Sequence, residues 1–321
     1  MTGAVLFGPY VHDLDPIIVT VLGVHLWWYG LSYSLGFLNV HLLLRRQRAS
    51  LGISLAAAYD LTLWLSVGVL VGGRLVVVNN EWMFYREHLS LIPAIWIGGL
   101  ATHGLIIGGA VGVWGFCAIH RQPIRPLADA LSIAAALILA CGRIGNFVDG
   151  QIVGSITDLP WGVKFPQADG FRHPVVLYDG LKNFLLVLLL LWVRKRGAPP
   201  GRLAALFVFL YSAPRIPIDL LREYPLTLIG LPSGQTFNIL MSVAGAILLL
   251  RNWIRRAAPL DPVPAAATGQ PRAGLRWRGV AMASVLAVGL VIPSDATRDI
   301  PATYGHRHPG LVHTAMYPAL E

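Results

Sequence analysis

The sequence is poor in charge and in cysteine. Charged residues make up 13% of its 321 positions, against roughly 25% in soluble domains, whereas 55% are hydrophobic and the mean hydropathy is +0.62. We therefore expect a membrane protein, whose chain is divided into spans before it is divided into domains. The two cysteines, Cys117 and Cys141, both lie in apolar segments, which argues against a disulfide framework and against a cysteine metal site.

Signatures of several other functions are absent as well. The sequence contains no P-loop, dinucleotide fingerprint, zinc-ligand spacing or nucleophile elbow. Its first residues lack the basic region of a cleavable signal peptide, so we expect the first apolar segment to be a retained span. The net charge of +9 would suit nucleic acid, but the basic residues are distributed as they are in membrane proteins, and no nucleic acid partner is expected.

Runs of about 20 apolar residues predict seven membrane spans and one shorter hydrophobic segment. The spans lie near residues 17–44, 55–78, 91–119, 127–147, 175–193, 203–221 and 236–251, and the shorter segment covers 279–293. Basic clusters follow alternate spans, at Arg45, Arg46 and Arg48, at Arg121 and Arg125, at Arg194, Lys195, Arg196 and Arg202, and from Arg251 to Arg278. By the positive-inside rule these loops are cytoplasmic, which places the N-terminus outside.

The same pattern predicts an all-α polytopic membrane protein in three parts. Residues 1–256 form the seven-span domain, with residues 148–174 as a small extracytoplasmic head rich in Gly, Pro and Asp. Residues 257–278 form a basic linker rich in Pro and Ala, and residues 279–321 add the extra hydrophobic segment and a polar tail. The tail histidines His306, His308 and His313 are more consistent with a solvated tail than with metal ligands.

Several ionisable residues within or beside the apolar segments, among them His103, Arg143 and Arg215, need a reason to be there, because a charge at the bilayer centre costs about 2.5–3.5 kcal/mol. His103, in "THGLIIGG", could hydrogen-bond a neighbouring helix or act as a general base. Arg143, in "CGRIGNFVDGQIVG", could reach towards water or hold a phosphate in bidentate fashion. Arg215 could pair with Asp219 one helical turn later, and Pro214 and Pro217 predict a kink around it.

In their order along the chain these motifs resemble the prolipoprotein diacylglyceryl transferase family. The similarity covers most of residues 20–250, in the blocks "LWWYGLSYSLGF", "GVLVGGRLVVVN", "THGLIIGG", "GRIGNFVDGQIVGSITDLPWGVKFP", "HPVVLYDGL", "YSAPRIPIDLLRE" and "SGQTFN". The long fourth block is the most specific, since a single Gly-Arg-x-Gly-Asn would carry little weight alone.

The resemblance implies a seven-span bundle in the bacterial cytoplasmic (inner) membrane, with its active site open to the outer leaflet. It implies transfer of the diacylglyceryl group of phosphatidylglycerol to the lipobox cysteine thiol in the signal peptide of a prolipoprotein. The products would be a thioether and glycerol phosphate. Neither a metal nor an organic cofactor is implied.

The resemblance also implies roles for residues of this chain. His103 would deprotonate the thiol, and Arg143 and Arg215 would stabilise the phosphoryl leaving group. The residues expected to bind substrate are Tyr29, Asn146, Asp149, Gln151, Gly154, Tyr178, Tyr211 and Asp219.

The sequence departs from the family pattern at three acidic positions. Gln151 stands where the family commonly has glutamate, and Asp179 and Asp219 are each one methylene shorter than the expected glutamate. Two alternatives therefore stay open. One is a divergent member that acts on another lipid or acceptor, and the other is a non-enzymatic lipid-binding or transport protein.

Overall fold

Helices dominate the computed structural model, which describes residues 10–222, 227–228, 231–254, 274–294 and 299–320. Most of the predicted linker 257–278 lies outside these ranges. The helices are α1 Trp28–Gln47, α2 Leu55–Asn80, α3 Trp82–Tyr85, α4 Thr102–His120, α5 Ile124–Asp149, α6 Val175–Lys195, α7 Arg202–Ser212, α8 Arg215–Leu220, α9 Ser233–Ile254, α10 Leu275–Leu290 and α11 Ile300–Tyr304. The strands are β1 Tyr10–Val11, β2 Ile17–Val21, β3 Val24–Trp27, β4 Val163–Lys164, β5 Thr227–Leu228 and β6 Leu231–Pro232.

Six segments of the described chain are long and apolar enough to cross a membrane. They correspond to α2, α4, α5, α6, the stretch Arg202–Leu220 that contains α7 and α8, and α9. The predicted class, an all-α polytopic membrane protein, is thereby confirmed. Helix α1 is long enough to be a seventh span but is more polar, and it packs against α2, α5 and α10.

Two predicted spans begin too early at their outer ends. Residues 17–27 form the β2–β3 hairpin rather than the start of α1, because Ile17–Val21 is an unbroken run of β-branched residues and Leu22 and Gly23 adopt the left-handed conformation of a tight turn. Helix α4 begins at Thr102 rather than near residue 91. Before it the chain makes two short 3-10 turns and then turns sharply at Gly98 and Gly99, both of which have positive φ.

Glycines bring α2 and α4 into backbone contact. Gly68 and Gly72 of α2 face Gly104, Gly108 and Gly112 of α4, and an added Cβ at any of them would meet backbone atoms of the partner helix within 3 Å. Small residues spaced four apart allow this close approach in membranes. The close packing of α2 and α4 fixes the start of α4, which carries His103, against α2.

The last turns of α1, α4, α6 and α9 carry basic residues. They lie at one end of the bundle, because the ends of α1 and α4 share a core cluster with the start of α5, and the start of α5 and the end of α9 both contact the loop between α6 and α7. Near this end the Asp129 carboxylate accepts hydrogen bonds from the backbone N–H groups of Gly201 and Ala204, at 2.6 and 2.8 Å. Asn252, at the end of α9, donates to the carbonyl oxygen of Gly201. The predicted kink is also present, because α7 ends at Ser212 and α8 begins after Pro214.

The extra hydrophobic segment forms α10, a 16-residue helix that packs against α1 and α2. The chain after it is not the solvated tail that we expected. Ile300, Tyr304 and Tyr317 are buried in a cluster with Trp27 of the hairpin and Ile97 of the loop before α4. The tail folds back because its aromatic and aliphatic side chains cover apolar surface that the outer segments would otherwise expose to water.

Polar contacts hold the tail in the same place. His308 contacts Asp15 at 2.7 Å, and His313 contacts Asp299 at 2.8 Å. The head is linked to the start of the described chain by the parallel pairing of β1 with β4. The hairpin, the head, the loop before α4 and the tail therefore form one layer, called the outer layer below, at the end of the bundle opposite the basic end.

Candidate active site

A buried cluster of charged residues joins four helices beneath the outer layer. Helix α5 contributes Arg143, α6 contributes Asp179 and Lys182, α8 contributes Arg215 and Asp219, and α9 contributes Asn238. All of these side chains except Lys182 are almost fully buried. Charged groups at such depth face a bundle interior and find partners there.

Asp179 lies at the centre of this cluster. One carboxylate oxygen accepts a hydrogen bond from Arg143 Nε at 2.6 Å, and the other lies 2.7 Å from Lys182 Nζ. Arg215 approaches the same carboxylate to 3.9 Å. The close fit between α5 and α6 depends on Gly180, where an added Cβ would lie 3.1 Å from Arg143 Cβ. Asp179 thus orients both arginines at once.

The second half of the cluster is built around Arg215. Its terminal nitrogen donates to the Tyr211 hydroxyl at 2.6 Å, and its Nε donates to Asp219 at 3.3 Å. Asn238 donates from Nδ2 to the same Asp219 oxygen, and its Oδ1 lies 3.5 Å from His103 Nε2. The predicted pair Arg215–Asp219 is therefore present, and it connects Arg215 to His103 through Asn238.

His103 is held by stacking as well as by this contact. Its ring lies parallel to that of Phe237, with centroids 4.7 Å apart. It is the second residue of α4, directly after the glycine-rich turn. Phe237 and Asn238, at the start of α9, therefore hold the imidazole beside the arginine cluster.

The described part of the cluster carries one more positive charge than negative. Arg143, Lys182 and Arg215 supply three cations, and Asp179 and Asp219 supply two carboxylates. An unbalanced charge in a low-dielectric interior attracts a counter-ion strongly. A singly charged phosphodiester would complete the balance.

A long cavity of about 270 Å³ ends at this cluster. Its polar end is formed by Tyr29, Tyr33, Arg143 and Asn146, and most of the remaining lining is apolar and comes from α1, α2, α4, α5 and α7. Along α5 the lining runs from Ile124 to Asn146, which is about 33 Å at the helical rise and close to the thickness of a bilayer core. The shape and polarity suit a lipid whose head group lies at Arg143.

The structure brings together most of the predicted site residues. Tyr29, Arg143 and Asn146 line the cavity, and Arg143 donates to the Asn146 side chain at 2.9 Å. His103, Tyr211, Arg215 and Asp219 form the layer behind them.

Six of the eight predicted substrate-binding residues do not line the cavity. Tyr211 and Asp219 lie in the layer behind it, and the other four make contacts elsewhere. The Asp149 carboxylate accepts the backbone N–H of Ser294 in the tail at 2.9 Å. The backbone N–H of Gln151 donates to the carbonyl oxygen of Asn146. Gly154 pairs with Arg222 through a β-bridge, and the Tyr178 hydroxyl accepts from Trp161 at 2.7 Å.

Sequence reasoning did not assign three residues that the structure places in or beside the site. Asp179 and Lys182 are three apart on a helix, a spacing that favours pairing and could have indicated their contact. Asn238 shows its role only in the fold, where it contacts both His103 and Asp219. Among the described residues, no group of three or more His, Cys, Asp or Glu is arranged to hold a metal ion.

Comparisons with known proteins point to one family. The family model described as prolipoprotein diacylglyceryl transferase matches residues 16–251. Proteins named phosphatidylglycerol–prolipoprotein diacylglyceryl transferase from Chromohalobacter salexigens, Bordetella parapertussis and Synechococcus elongatus are 33%, 35% and 34% identical to this chain. The aligned regions cover 78%, 74% and 81% of this chain and 95% of each relative.

Proposed function

This chain belongs to the prolipoprotein diacylglyceryl transferase family, and we propose that its arginine cluster is where phosphatidylglycerol gives up its diacylglyceryl group to a lipobox cysteine. The observation that carries the proposal is the junction of the long apolar cavity with Arg143, beside a buried cluster of net positive charge. A double-chain anionic lipid matches both parts of that junction.

The donor lipid lies with its acyl chains in the cavity and its phosphate at the polar end. Arg143 and Arg215 are close enough to share Asp179, so a phosphate between them meets two guanidinium groups in fixed positions. Asn146 and the Tyr29–Tyr33 pair, whose hydroxyls are 2.8 Å apart, position the glycerol portion. Because carboxylates already hold the arginines, little reorganisation is needed as charge develops on the leaving phosphate.

The acceptor thiol attacks as a thiolate, because the neutral thiol is a poor nucleophile. His103 takes the thiol proton at its imidazole, and the Asn238 contact and the Phe237 ring hold that imidazole in place. The sulfur forms a bond to the glycerol carbon that carries the phosphate, and the carbon–oxygen bond to the phosphate breaks. Glycerol phosphate leaves with the bonding electron pair, and the arginines stabilise its added charge.

We further propose that the outer layer faces the extracytoplasmic side of the bacterial inner membrane. Support comes from the clustering of the basic ends of α1, α4, α6 and α9 at the opposite end of the bundle, as the positive-inside rule requires of the cytoplasmic side. Helix α1 runs towards that basic end, so the N-terminus is extracytoplasmic. The signal peptide of a prolipoprotein would present its lipobox cysteine from the membrane side of the outer layer.

The test is an assay of the detergent-purified protein with phosphatidylglycerol and a lipobox peptide. The peptide mass should rise by one diacylglyceryl group, with one glycerol phosphate released per peptide. Arg143→Ala and His103→Ala should abolish the shift, whereas Arg86→Ala, which removes an exposed cation, should leave it unchanged. An unmodified peptide in every sample, with a known family enzyme active alongside, would contradict the proposal.

A second part of the experiment tests whether glutamine at position 151, where the family commonly has glutamate, affects activity. Because its backbone is tied to Asn146 and its side chain does not line the cavity, the Gln151→Glu variant should transfer at a rate close to that of the parent chain. Replacing phosphatidylglycerol with phosphatidylethanolamine should stop the reaction. Transfer from the zwitterionic lipid alone would favour a divergent member of the family.

A further inference from the structure

The C-terminal segment packs directly behind the tyrosines at the polar end of the cavity. Gly30 of α1 lies against the end of α10, where an added Cβ would be 2.5 Å from the carbonyl oxygen of Leu290. At Gly289 an added Cβ would be 2.5 Å from Ser34 Oγ. These contacts fall one residue after Tyr29 and one residue after Tyr33, so α10 supports the turn of α1 that carries both hydroxyls.

Helix α5 holds the same turn from the other side. An added Cβ at Gly145 would be 2.7 Å from the Tyr29 Cα. The Tyr29 backbone is therefore enclosed between α5, two residues from Arg143, and α10. Ile292, just after α10, is fully buried in the same cluster as Tyr29 and Tyr33.

The segment after α10 is fastened to the outer end of α5. Asp149 accepts hydrogen bonds from the Ser294 backbone N–H at 2.9 Å and from the Tyr304 hydroxyl at 3.4 Å, and its own carbonyl accepts from Arg307 at 2.8 Å. Asp149 lies one helical turn after Asn146. The family match ends at residue 251, so these contacts come from a part of the chain that the match does not include.

We infer that α10 and the segment after it form a supporting wall behind the catalytic site of this chain, with Gly289 and Asp149 as positioning residues that hold Tyr29, Tyr33 and the arginine-bearing end of α5. The inference rests on the proposed function, since the lipid head group is the ligand that these residues would align. It assigns Asp149 to the wall rather than to direct binding of substrate.

The experiment uses the full chain and compares one substitution at two places on α10. Gly289→Ala introduces a methyl group against Ser34, whereas Gly279→Ala introduces it into open space. We expect Gly289→Ala to lower kcat/KM for phosphatidylglycerol at least about tenfold, because displacements near 1 Å at a reacting site cost that much or more. Gly279→Ala should match the parent chain.

A second substitution in the same chain tests whether contact is the cause. Removing the hydroxyl in the Ser34→Ala/Gly289→Ala double variant leaves the nearest α1 atoms 3.4 Å or more from the new methyl group, and activity should return to that of Ser34→Ala alone. Equal loss in the single and double variants would overturn the inference, as would a Gly289→Ala enzyme with parental kcat and KM.

The anchor at Asp149 is compared with an ion pair at the other end of α10. Asp149→Ala should raise the KM for phosphatidylglycerol, whereas Asp60→Ala, which removes the two hydrogen bonds from Arg278, should lower thermal stability and leave that KM unchanged. If Asp149→Ala fails to fold, Tyr304→Phe takes its place with a smaller effect in the same direction. Parental KM in the folded anchor variant would show that the tail has only a structural role.

Failure of the proposed function is recognised separately. Thermal stabilisation by phosphatidylglycerol is measured on each variant, and it should be reduced in Gly289→Ala and restored in the double variant even if the parent chain transfers nothing to the peptide. If the parent chain is inactive but the variants show this pattern of thermal stabilisation, the proposed reaction is contradicted and the supporting role of α10 stands. If the parent chain is active but the pattern is absent, only the supporting role of α10 is contradicted.

Discussion

Arg143 Nε and Asp179 Oδ2 are 2.6 Å apart, and each side chain is 6% exposed. Taking both charges out of water costs several kcal/mol, which their attraction offsets only when the remaining donors and acceptors are also paired. Lys182 on the second Asp179 oxygen and Asn146 on Arg143 provide that pairing. The pair is therefore part of a preorganised charged site rather than an isolated structural ion pair.

Asp179→Asn should destabilise the protein and stop transfer. The change leaves Arg143, Lys182 and Arg215 with one carboxylate, and breaking a buried pair costs about 3–5 kcal/mol. The measurement is thermal unfolding in detergent, together with the peptide mass assay. Glu87→Gln removes an exposed pairing with Arg86 and should shift stability by less than about 1 kcal/mol; equal shifts in the two variants would refute the prediction.

Arg143→Lys and Arg215→Lys should each lower kcat about 100-fold or more. Lysine keeps the charge but has a single donor group, which cannot hold Asp179 and Asn146, or Tyr211 and Asp219, in the present directions. Steady-state rates with phosphatidylglycerol measure the effect, and Arg86→Lys is the control. A rise in KM with kcat unchanged would mean that the arginines bind the ground state and the transition state equally.

His103→Gln should lower kcat by about 100-fold to 10,000-fold, the usual contribution of a general base, while binding of phosphatidylglycerol changes little. Glutamine keeps a hydrogen-bonding group near Asn238 but cannot accept the thiol proton. Rates are compared with a lipobox peptide over a range of pH, and lipid binding is followed by thermal shift. An unchanged rate at neutral pH would mean that another group deprotonates the thiol.

Arg74→Met should loosen the loop before α4 and lower activity without touching the cavity. The guanidinium donates to the carbonyl oxygens of Leu91, Ile92 and Gly98, and each buried carbonyl left without a donor costs about 1–3 kcal/mol. Hydrogen exchange across residues 89–99 should become faster. If exchange in the loop stays at the parental rate while stability falls, Arg74 acts elsewhere.

Thermal stability should fall as the pH is lowered through the range below about 6.5. Burial, and then the nearby charge of Arg307, lower the pKa of His12, although its bond to the Phe147 carbonyl and Asp13 oppose the shift. Between the unfolded and the lowered pKa the unfolded chain binds the proton more readily than the folded protein, so stability is lost as pH falls. His12→Gln should flatten this part of the profile, and an identical slope in both proteins would exclude His12 as the cause.

The class of protein and the identity of the central arginines follow from the sequence alone. Hydropathy is a property of each residue and its neighbours, so spans at 55–78, 127–147 and 175–193 are readable without contacts. The cost of burying charge makes Arg143 and Arg215 conspicuous in the same way. Pro214 and Pro217, on either side of Arg215, likewise predicted the break between α7 and α8, because proline acts locally on the backbone.

Other features were decided only by tertiary packing. The hairpin at residues 17–27 is as apolar as a span, and what distinguishes it is a turn at Leu22–Gly23 together with a tail that covers its face. Asp149 is predicted from its motif to meet substrate but meets Ser294, 145 positions away in the chain. Asp179 gathers Arg143 and Arg215 from separate helices. Contacts between residues so far apart in the sequence depend on which helix faces pack together. The close approaches of neighbouring helices at Gly145, Gly180 and Gly289 determine those faces.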